Sequence, residues 1–263
     1  MDLLKRELAP LTEKAWEEID ARAEEVFDTQ LTGRKAVHVE GPNGLEYNVI
    51  SKGKLGIIKG DKGEVRSSEY KVTPLIETRY TFELNRWEMD NLERGAKDVD
   101  LGPLENAVKK MAEFEDNAVY NGFTGGNIKG MMEMAKKSLS FGSDDSSIMG
   151  SITEGMIMLQ EAYADKPYTL IVGKEVYEKI QRQVKGYPLI RRIEEVTGSE
   201  VIFSNEIKGA ILVPYDHDDL ELTIGQDFAI GFEEHDNKNV KLFITESFMF
   251  RVLDPDIIVK YTI

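Results

Sequence analysis

Residues Tyr47 to Pro74 of this 263-residue chain, YNVISKGKLGIIKGDKGEVRSSEYKVTP, constrain its fold more than any other stretch. Leu55 and Ile57 alternate with polar neighbours, Asp61-Lys62-Gly63 reads as a turn, and Val65, Tyr70 and Val72 lie on the return. The pattern predicts a long, extended, highly charged arm with few apolar residues for its length. An isolated two-stranded ribbon is marginal in water. The arm therefore needs a partner outside itself, and a neighbouring subunit is one candidate.

The rest of the chain can supply an ordinary core. Hydrophobic residues make up 41% and charged residues 31%, which excludes a disordered chain. The net charge of -15 argues against phosphate-rich partners, which call for a basic surface. There is no cysteine, so disulfides, thiolate zinc sites and cysteine nucleophiles are excluded. No apolar stretch approaches the roughly 18 residues of a membrane span, and MDLLKRELAP lacks a signal-peptide pattern. No membrane partner and a cytoplasmic location are expected.

LTEKAWEEIDARAEEVFDTQL predicts an amphipathic helix with Trp16, Ile19, Ala23, Val26 and Phe27 on one stripe and a start near Pro10 and Thr12. KAVHVEGPNGLEYNVI predicts a hairpin turning at Gly-Pro-Asn-Gly. YTFELN reads as a strand, and LGPLENAVKKMAEFEDNAVYNG as a long helix stopped at Gly122. GGNIKGMMEMAKK and GSDDSSIMGS read as connectors. Beyond Phe141, Ile152, Met156, Leu159 and Tyr163 follow helical spacing, PYTLIVG is a buried strand, and Val176, Ile180 and Val184 mark another helix. SEVIFSN and GAILVPY are short strands, so this region predicts a compact α/β unit inserted in a larger one. The chain then returns to long β-structure with a turn at Pro255.

P-loop, dinucleotide, nucleophile-elbow and HExxH signatures are missing. DHDD (Asp216–Asp219) and EEHD (Glu233–Asp236) read as polar turns, since one short tract rarely supplies a coordination sphere. RWEMDNLERG (Arg86–Gly95) gathers a tryptophan, two arginines and the carboxylates of Glu88, Asp90 and Glu93. Paired carboxylates could serve a hydrolase. On a helix the same residues make a solvated or intersubunit face, with Asp90 and Arg94 spaced to pair and Gly95 as the stop.

Five segments, in order along the chain, carry a wider likeness: LLKRELAPLTEKAWEEID, TFELNRWEMDNLERG, GYPLIRRIEE, IGQDFAIGFEE and LFITESFMFRVLDPDIIV. Together they resemble family 1 encapsulins, the linocin-M18-like shell proteins of bacteria and archaea. The resemblance implies an α+β, HK97 phage major capsid-like fold. It divides the chain into an N-terminal helix and the start of a P-domain (1–46), an extended E-loop (47–74), the P-domain with its spine helix at Asp98–Asn121 (75–140), an A-domain (141–221) and P-domain C-terminal strands (222–263). The arm would then lie across an adjacent subunit.

The resemblance also implies self-assembly into a hollow icosahedral nanocompartment, commonly a T=1 60-mer. Its cargo enzyme would be held by a C-terminal targeting peptide. A ferritin-like iron-storage protein is the commonest cargo and a dye-decolourising peroxidase another, and the shell is not an enzyme. No nucleic-acid partner is implied. The matching cargo groove contains Phe27, Leu31, Arg34, His38, Ile230 and Phe232, although Phe27 and Ile230 could equally join helix to sheet. Lys185, Gly186 and Tyr187 would flank a five-fold pore, or form a plain turn between helices. No cofactor is required, but a flavin of the FMN or riboflavin type could stack on Trp87 with Arg79 beside it; ordinary packing of Trp87 is the other reading. A phage major capsid protein remains the alternative within the fold, and a carboxylate hydrolase the alternative outside it.

Overall fold

The computed structural model describes residues 3–58, 66–182 and 186–263. Helix α1 spans Glu13–Gln30, its start capped by Thr12, whose hydroxyl accepts the Ala15 N–H at 3.2 Å. Ala15, Ile19 and Ala23 form its buried stripe. Strand β1 (His38–Glu40) follows. The expected hairpin does not form here, because β1 runs parallel to the much later β9 (Leu220–Ile224), Val39 opposite Leu222. Its Gly-Pro-Asn-Gly tract does not turn the chain back. Asn43 and Gly44 donate to the carbonyls of Ile224 and Gly225, which carries the chain onward past the end of β9.

Strands β2 (Val49–Ile57) and β3 (Ser68–Pro74) form the arm as an antiparallel ribbon, joined to no other strand among the described residues. Leu55 pairs with Tyr70 and Ile57 with Ser68, while Val72 pairs with Ser51. Cross-strand pairs share a face, so Leu55, Ile57, Tyr70 and Val72 make one apolar face. It is exposed: Leu55 by 59%, Tyr70 by 76% and Ile57 by 91%. Only the base is anchored, by buried Ile50. The predicted turn at Asp61–Gly63, and Val65, lie outside the described residues.

Strand β4 (Ile76–Asn85) leads into helix α2 (Arg86–Glu93), and the spine helix α3 runs over Gly102–Tyr120. The spine starts four residues later than the expected Asp98, since Asp100 accepts the Gly102 N–H at 3.0 Å and Pro103 occupies the first turn. Two segments expected as connectors carry structure: α4 (Met131–Met134), β5 (Lys137–Ser140) and the start of α5 (Asp145–Glu161). Asp144 and Ser147 form a capping box that starts α5 inside GSDDSSIMGS. Tyr163 is not on the α5 face. It lies past the helix end with φ +62° and is 95% exposed.

The chain continues through β6 (Tyr168–Val172), α6 (Lys174–Gln181), α7 (Leu189–Thr197), β7 (Ile202–Phe203), β8 (Ala210–Pro214), β9, β10 (Ala229–His235), β11 (Asn239–Val252) and β12 (Val259–Thr262). Val184, expected on the α6 helix, lies outside the described residues. The first sheet is ordered β1-β9-β11-β10, with β4 also on β11. β11 is long enough to serve two neighbourhoods: Asn239–Phe248 pairs with β4, and Phe248–Val252 pairs with β9. Helices α1 and α3 pack with this sheet through Ile19, Leu104, Val108, Leu242 and Ile244.

The second sheet is ordered β5-β12-β8-β6-β7. Two of its strands come from outside residues 141–221. β12 pairs with β8, Val259 opposite Leu212, and puts Val259 and Tyr261 into the core, while β5 lines its other edge. Strands β6 and β8, apolar but for Thr169 and the Tyr168 hydroxyl, are buried along their whole length.

Candidate functional site

Helix α1, the segment before it and the start of β10 enclose an open cleft of about 490 Å³. Its apolar wall includes Leu4, Phe27, Leu31, Phe228 and Ile230. Phe27 stacks on Phe228 with ring centroids 4.0 Å apart and planes 20° from parallel. The N-terminal segment is tied down where the Phe232 N–H donates to the Leu4 carbonyl at 2.7 Å. Around the apolar wall stand Asp20, Glu24, Asp28 and Asp227. Arg6 lines the cleft too, but it pairs with Asp20 at 2.6 Å and covers Trp16.

Four of the six residues expected in a cargo groove thus meet here: Phe27, Leu31, Arg34 and Ile230. Phe232 does not line the cleft; its side chain is buried in the core beside the His235 ring. His38 is elsewhere, because β1 carries it to the β8–β9 turn. There its Nδ1 lies 2.8 Å from Asp216, whose carboxylate raises the imidazole pKa. Leu4 and Phe228 are additions. Phe228 stands two residues before Ile230 in IGQDFAIGFEE, a spacing that shares a strand face, while nothing in the sequence placed Leu4 over β10.

Arg34 is not free to hold a ligand. Its Nε and Nη2 grip Glu115 at 2.7–3.1 Å, Nη2 also reaches Glu246 at 2.8 Å, and Nη1 pairs with Asp227 at 2.9 Å. The expected polar contact to a peptide is replaced by an internal tie between the short 3-10 turn Gly33–Lys35 (the η-turn), the spine helix and β11. The reason is charge: Glu115 and Glu246 are completely buried and need a cation. Burial and the neighbouring Glu115 charge push the Glu246 carboxyl far above the usual range. Beside them Asp116 accepts the N–H groups of Thr32 and Gly33 at 3.0 and 2.8 Å, and burial still lifts it to about 6.

Gly186 (φ +82°) and half-exposed Tyr187 lie between α6 and α7, with the Tyr187 hydroxyl donating to Glu195 at 2.8 Å; Lys185 lies outside the described residues. Trp87 and Arg79 are not brought together within the subunit. Arg79 sits mid-β4 with its guanidinium 4.1 Å over Phe243, whereas Trp87 opens α2. The indole is 66% exposed, and its N-terminal cap is the Asn85 side chain at 2.8 Å from the Trp87 N–H. The Asp90–Arg94 pair does not form, since Arg94 donates to Asn91 at 2.9 Å instead. Gly95 ends the helix with φ +93°. Glu93 accepts from Thr12, and Glu88 faces the Asp100 N–H, so these carboxylates serve the fold and its surface. Among the described residues no cluster of histidines and carboxylates could hold a metal.

The family model described as "Encapsulating protein for peroxidase", Linocin_M18, matches residues 1–249. A relative from Rhodospirillum rubrum, named a type 1 encapsulin shell protein, is 34% identical over 97% of this chain and 95% of its own. The virus-like particle of Pyrococcus furiosus has the same fold, with a TM-score of 0.66 at 17% identity over 94% of this chain and 98% of that one. The capsid of Myoviridae phage XM1 aligns with a TM-score of 0.58 at 9% identity, covering 88% and 90%. The fold is therefore the HK97 phage-capsid type. Sequence relationship separates the shell protein from the phage capsids, which share the fold alone, and the likeness to named shell proteins leaves no ground for an autonomous hydrolase. The chain belongs to the Linocin_M18 family of encapsulin shell proteins: it is a structural subunit of a capsid-like shell, and not an enzyme.

Proposed function

We propose that the shell formed by this protein loads a cargo enzyme by binding its C-terminal targeting peptide in the cleft between α1 and β10. The observation that carries this reading is the apolar wall of Phe27, Leu31, Phe228 and Ile230, presented in an open cleft by two rigid elements. Apolar side chains of a peptide would displace water from that wall, and the carboxylates at its edge would orient the peptide's polar groups. Arg34 acts indirectly by holding Asp227 and the η-turn in place. The cargo is a ferritin-like iron-storage protein or a peroxidase, and the family model's description as an encapsulating protein for peroxidase supports the second class. The shell is a T=1 60-mer in the cytoplasm, free of nucleic acid and membrane, and small molecules or ions enter it past Gly186 and Tyr187 at the five-fold vertex.

Co-expression with a fluorescent reporter bearing the candidate cargo's C-terminal peptide tests the docking. The reporter should elute with shells from the wild-type protein and separately from shells carrying Phe228→Ser with Phe27→Ser. Full loading of the doubly substituted shell would sink the cleft assignment. Particle images give the copy number, and mass spectrometry of natively loaded shells decides between the two cargo classes.

A flavin on Trp87 is a second reading, favoured by its flat, exposed indole. It expects a flavin absorbance in shells purified from flavin-replete cells that disappears in Trp87→Ala. Colourless wild-type shells remove it.

A further inference from the structure

At the base of the arm lies a second cleft whose charge is opposite to that of the molecule. Lys52 and Lys54 of β2, Lys129 and Arg251 line it, and Met249 and Leu253 contribute to an apolar floor; its volume is about 460 Å³. No carboxylate lines it, although the chain carries a net charge of -15. Arg251 pairs with Glu221 at the rim, but its Nε is buried without a hydrogen-bond partner. The three lysines make no ion pair among the described residues. Leu253 is exposed. Three uncompensated cations over an apolar floor, in an otherwise acidic protein, form a site for something both apolar and anionic.

The same chain carries a surface of the complementary kind. Helix α2 presents exposed Trp87. Around it in sequence stand Glu83, Glu88, Asp90, Glu93, Asp98 and Asp100, none of them in an ion pair among the described residues. Of the nearby arginines, Arg86 is held on the Asp236 carbonyl, while Arg94, bonded to Asn91, has its guanidinium 5.8 Å from the Trp87 ring centre and leaves the carboxylates unpaired. The two surfaces cannot meet within one subunit. The cleft takes in Thr73 just before β4, and α2 begins just after it. Ten residues of strand separate them by about 30 Å.

We infer that the α2 surface of one copy docks into the basic cleft of the next, Trp87 against the apolar floor and the α2 carboxylates against Lys52, Lys54 and Lys129. Such a contact is heterologous. Each copy offers one acidic knob and one basic cleft, so pairing leaves both ends open until the assembly closes. This rests on the shell reading and deepens it, by naming a contact that would select the neighbour through charge.

The test is a reciprocal charge swap, read by shell yield on gel filtration and negative-stain images. Lys52→Glu/Lys54→Glu/Lys129→Glu and Glu88→Lys/Asp90→Lys should each lower the yield by about tenfold or more, and their combination should restore it; a tenfold change corresponds to about 1.4 kcal/mol. Circular dichroism on the unassembled variants confirms that they fold. Because the chain has no cysteine, Lys54→Cys/Asp90→Cys gives a second readout: a ladder of disulfide-linked copies on a non-reducing gel, absent from either single variant. Wild-type yield from both charge-reversed proteins, with no ladder, overturns the contact while leaving the shell reading intact. Loss of a co-purified small anion without loss of shells overturns it in favour of a small-molecule site. Failure of the wild-type protein to form shells at all would instead overturn the shell reading.

Discussion

The arm and the second sheet are both β-structure, yet they find their partners in opposite places. In the second sheet Leu170, Ile171, Val172 and Ala210–Val213 have no solvent exposure, and every strand edge in its centre is paired within the chain. In the arm Leu55, Ile57, Tyr70 and Val72 share one open face. Full burial of a large apolar side chain is worth about 1.5–3 kcal/mol, so the arm holds several kcal/mol in reserve until another surface covers it. One element completes its core during folding. The other can complete it only on assembly, which is what a shell subunit requires.

The strongest way to break that contrast is to make the arm's open face polar. Leu55→Asp with Tyr70→Asp should abolish shells in negative-stain images. Subunit stability should stay within about 0.5 kcal/mol, because substitutions at exposed positions rarely cost more. Shells from this variant would mean that the arm's apolar face is not covered by a neighbour. The inverse case is the closed interior, both the buried tie of α3 to β11 in the first sheet and the apolar centre of the second. Arg34→Ala should destabilise the subunit by about 3–5 kcal/mol, since it leaves Glu115 and Glu246 buried without their cation. Leu212→Ala should cost about 2–5 kcal/mol by opening a cavity in β8. Guanidinium denaturation of unassembled subunits measures both, and a cost below 1 kcal/mol for Leu212→Ala would show that the second sheet is less tightly closed than its burial indicates.

What could be read from the sequence follows the same division. Local signals were legible: the Thr12 cap, the apolar runs of β6 and β8, the stop at Gly95 and the arm's lack of a core. Pairings between distant segments were not. Nothing in KAVHVE says that β1 will run beside β9 almost two hundred residues later, and nothing in IIVKYTI says that β12 will join the second sheet. Those choices depend on which buried surfaces meet, and periodicity is silent about that. The cleft between α1 and β10 shows both sides. Phe27 and Ile230, put in one groove by the resemblance, do meet, while the tie of Arg34 to Glu115 and Glu246 was not legible because both look like surface acids on paper. His38 was misplaced for the same reason as β1, on whose pairing its position depends.

A finer test separates closure by apolar contact from closure by charge. Glu246 sits on β11 with Arg34 and Glu115 against it and with Asp227 nearby. Its pKa is raised in the folded state, first by burial and then by the Glu115 charge. A raised pKa means that the folded protein holds the proton more tightly than the unfolded chain does. The stability gained is complete below the ordinary carboxylate range and is lost as pH rises through the folded value. Asp116, lifted to about 6 for the same reason, loses its share earlier, between the ordinary carboxylate pKa and that value. Glu246→Gln keeps an oxygen for the Arg34 bond but cannot ionise. Its stability should match that of the wild type below the ordinary carboxylate range, where folded and unfolded chains both hold the proton, and fall less steeply between that range and the raised folded pKa, by up to about 1.4 kcal/mol per pH unit. Denaturation midpoints from acidic to alkaline pH, starting below the ordinary carboxylate range, give the comparison. Parallel curves would mean that Glu246 is already ionised and that Arg34 alone satisfies both carboxylates. Diverging curves would mean that the floor of the cleft is closed by a shared proton as well as an ion pair, a closure that pH can loosen and that the apolar second sheet does not have.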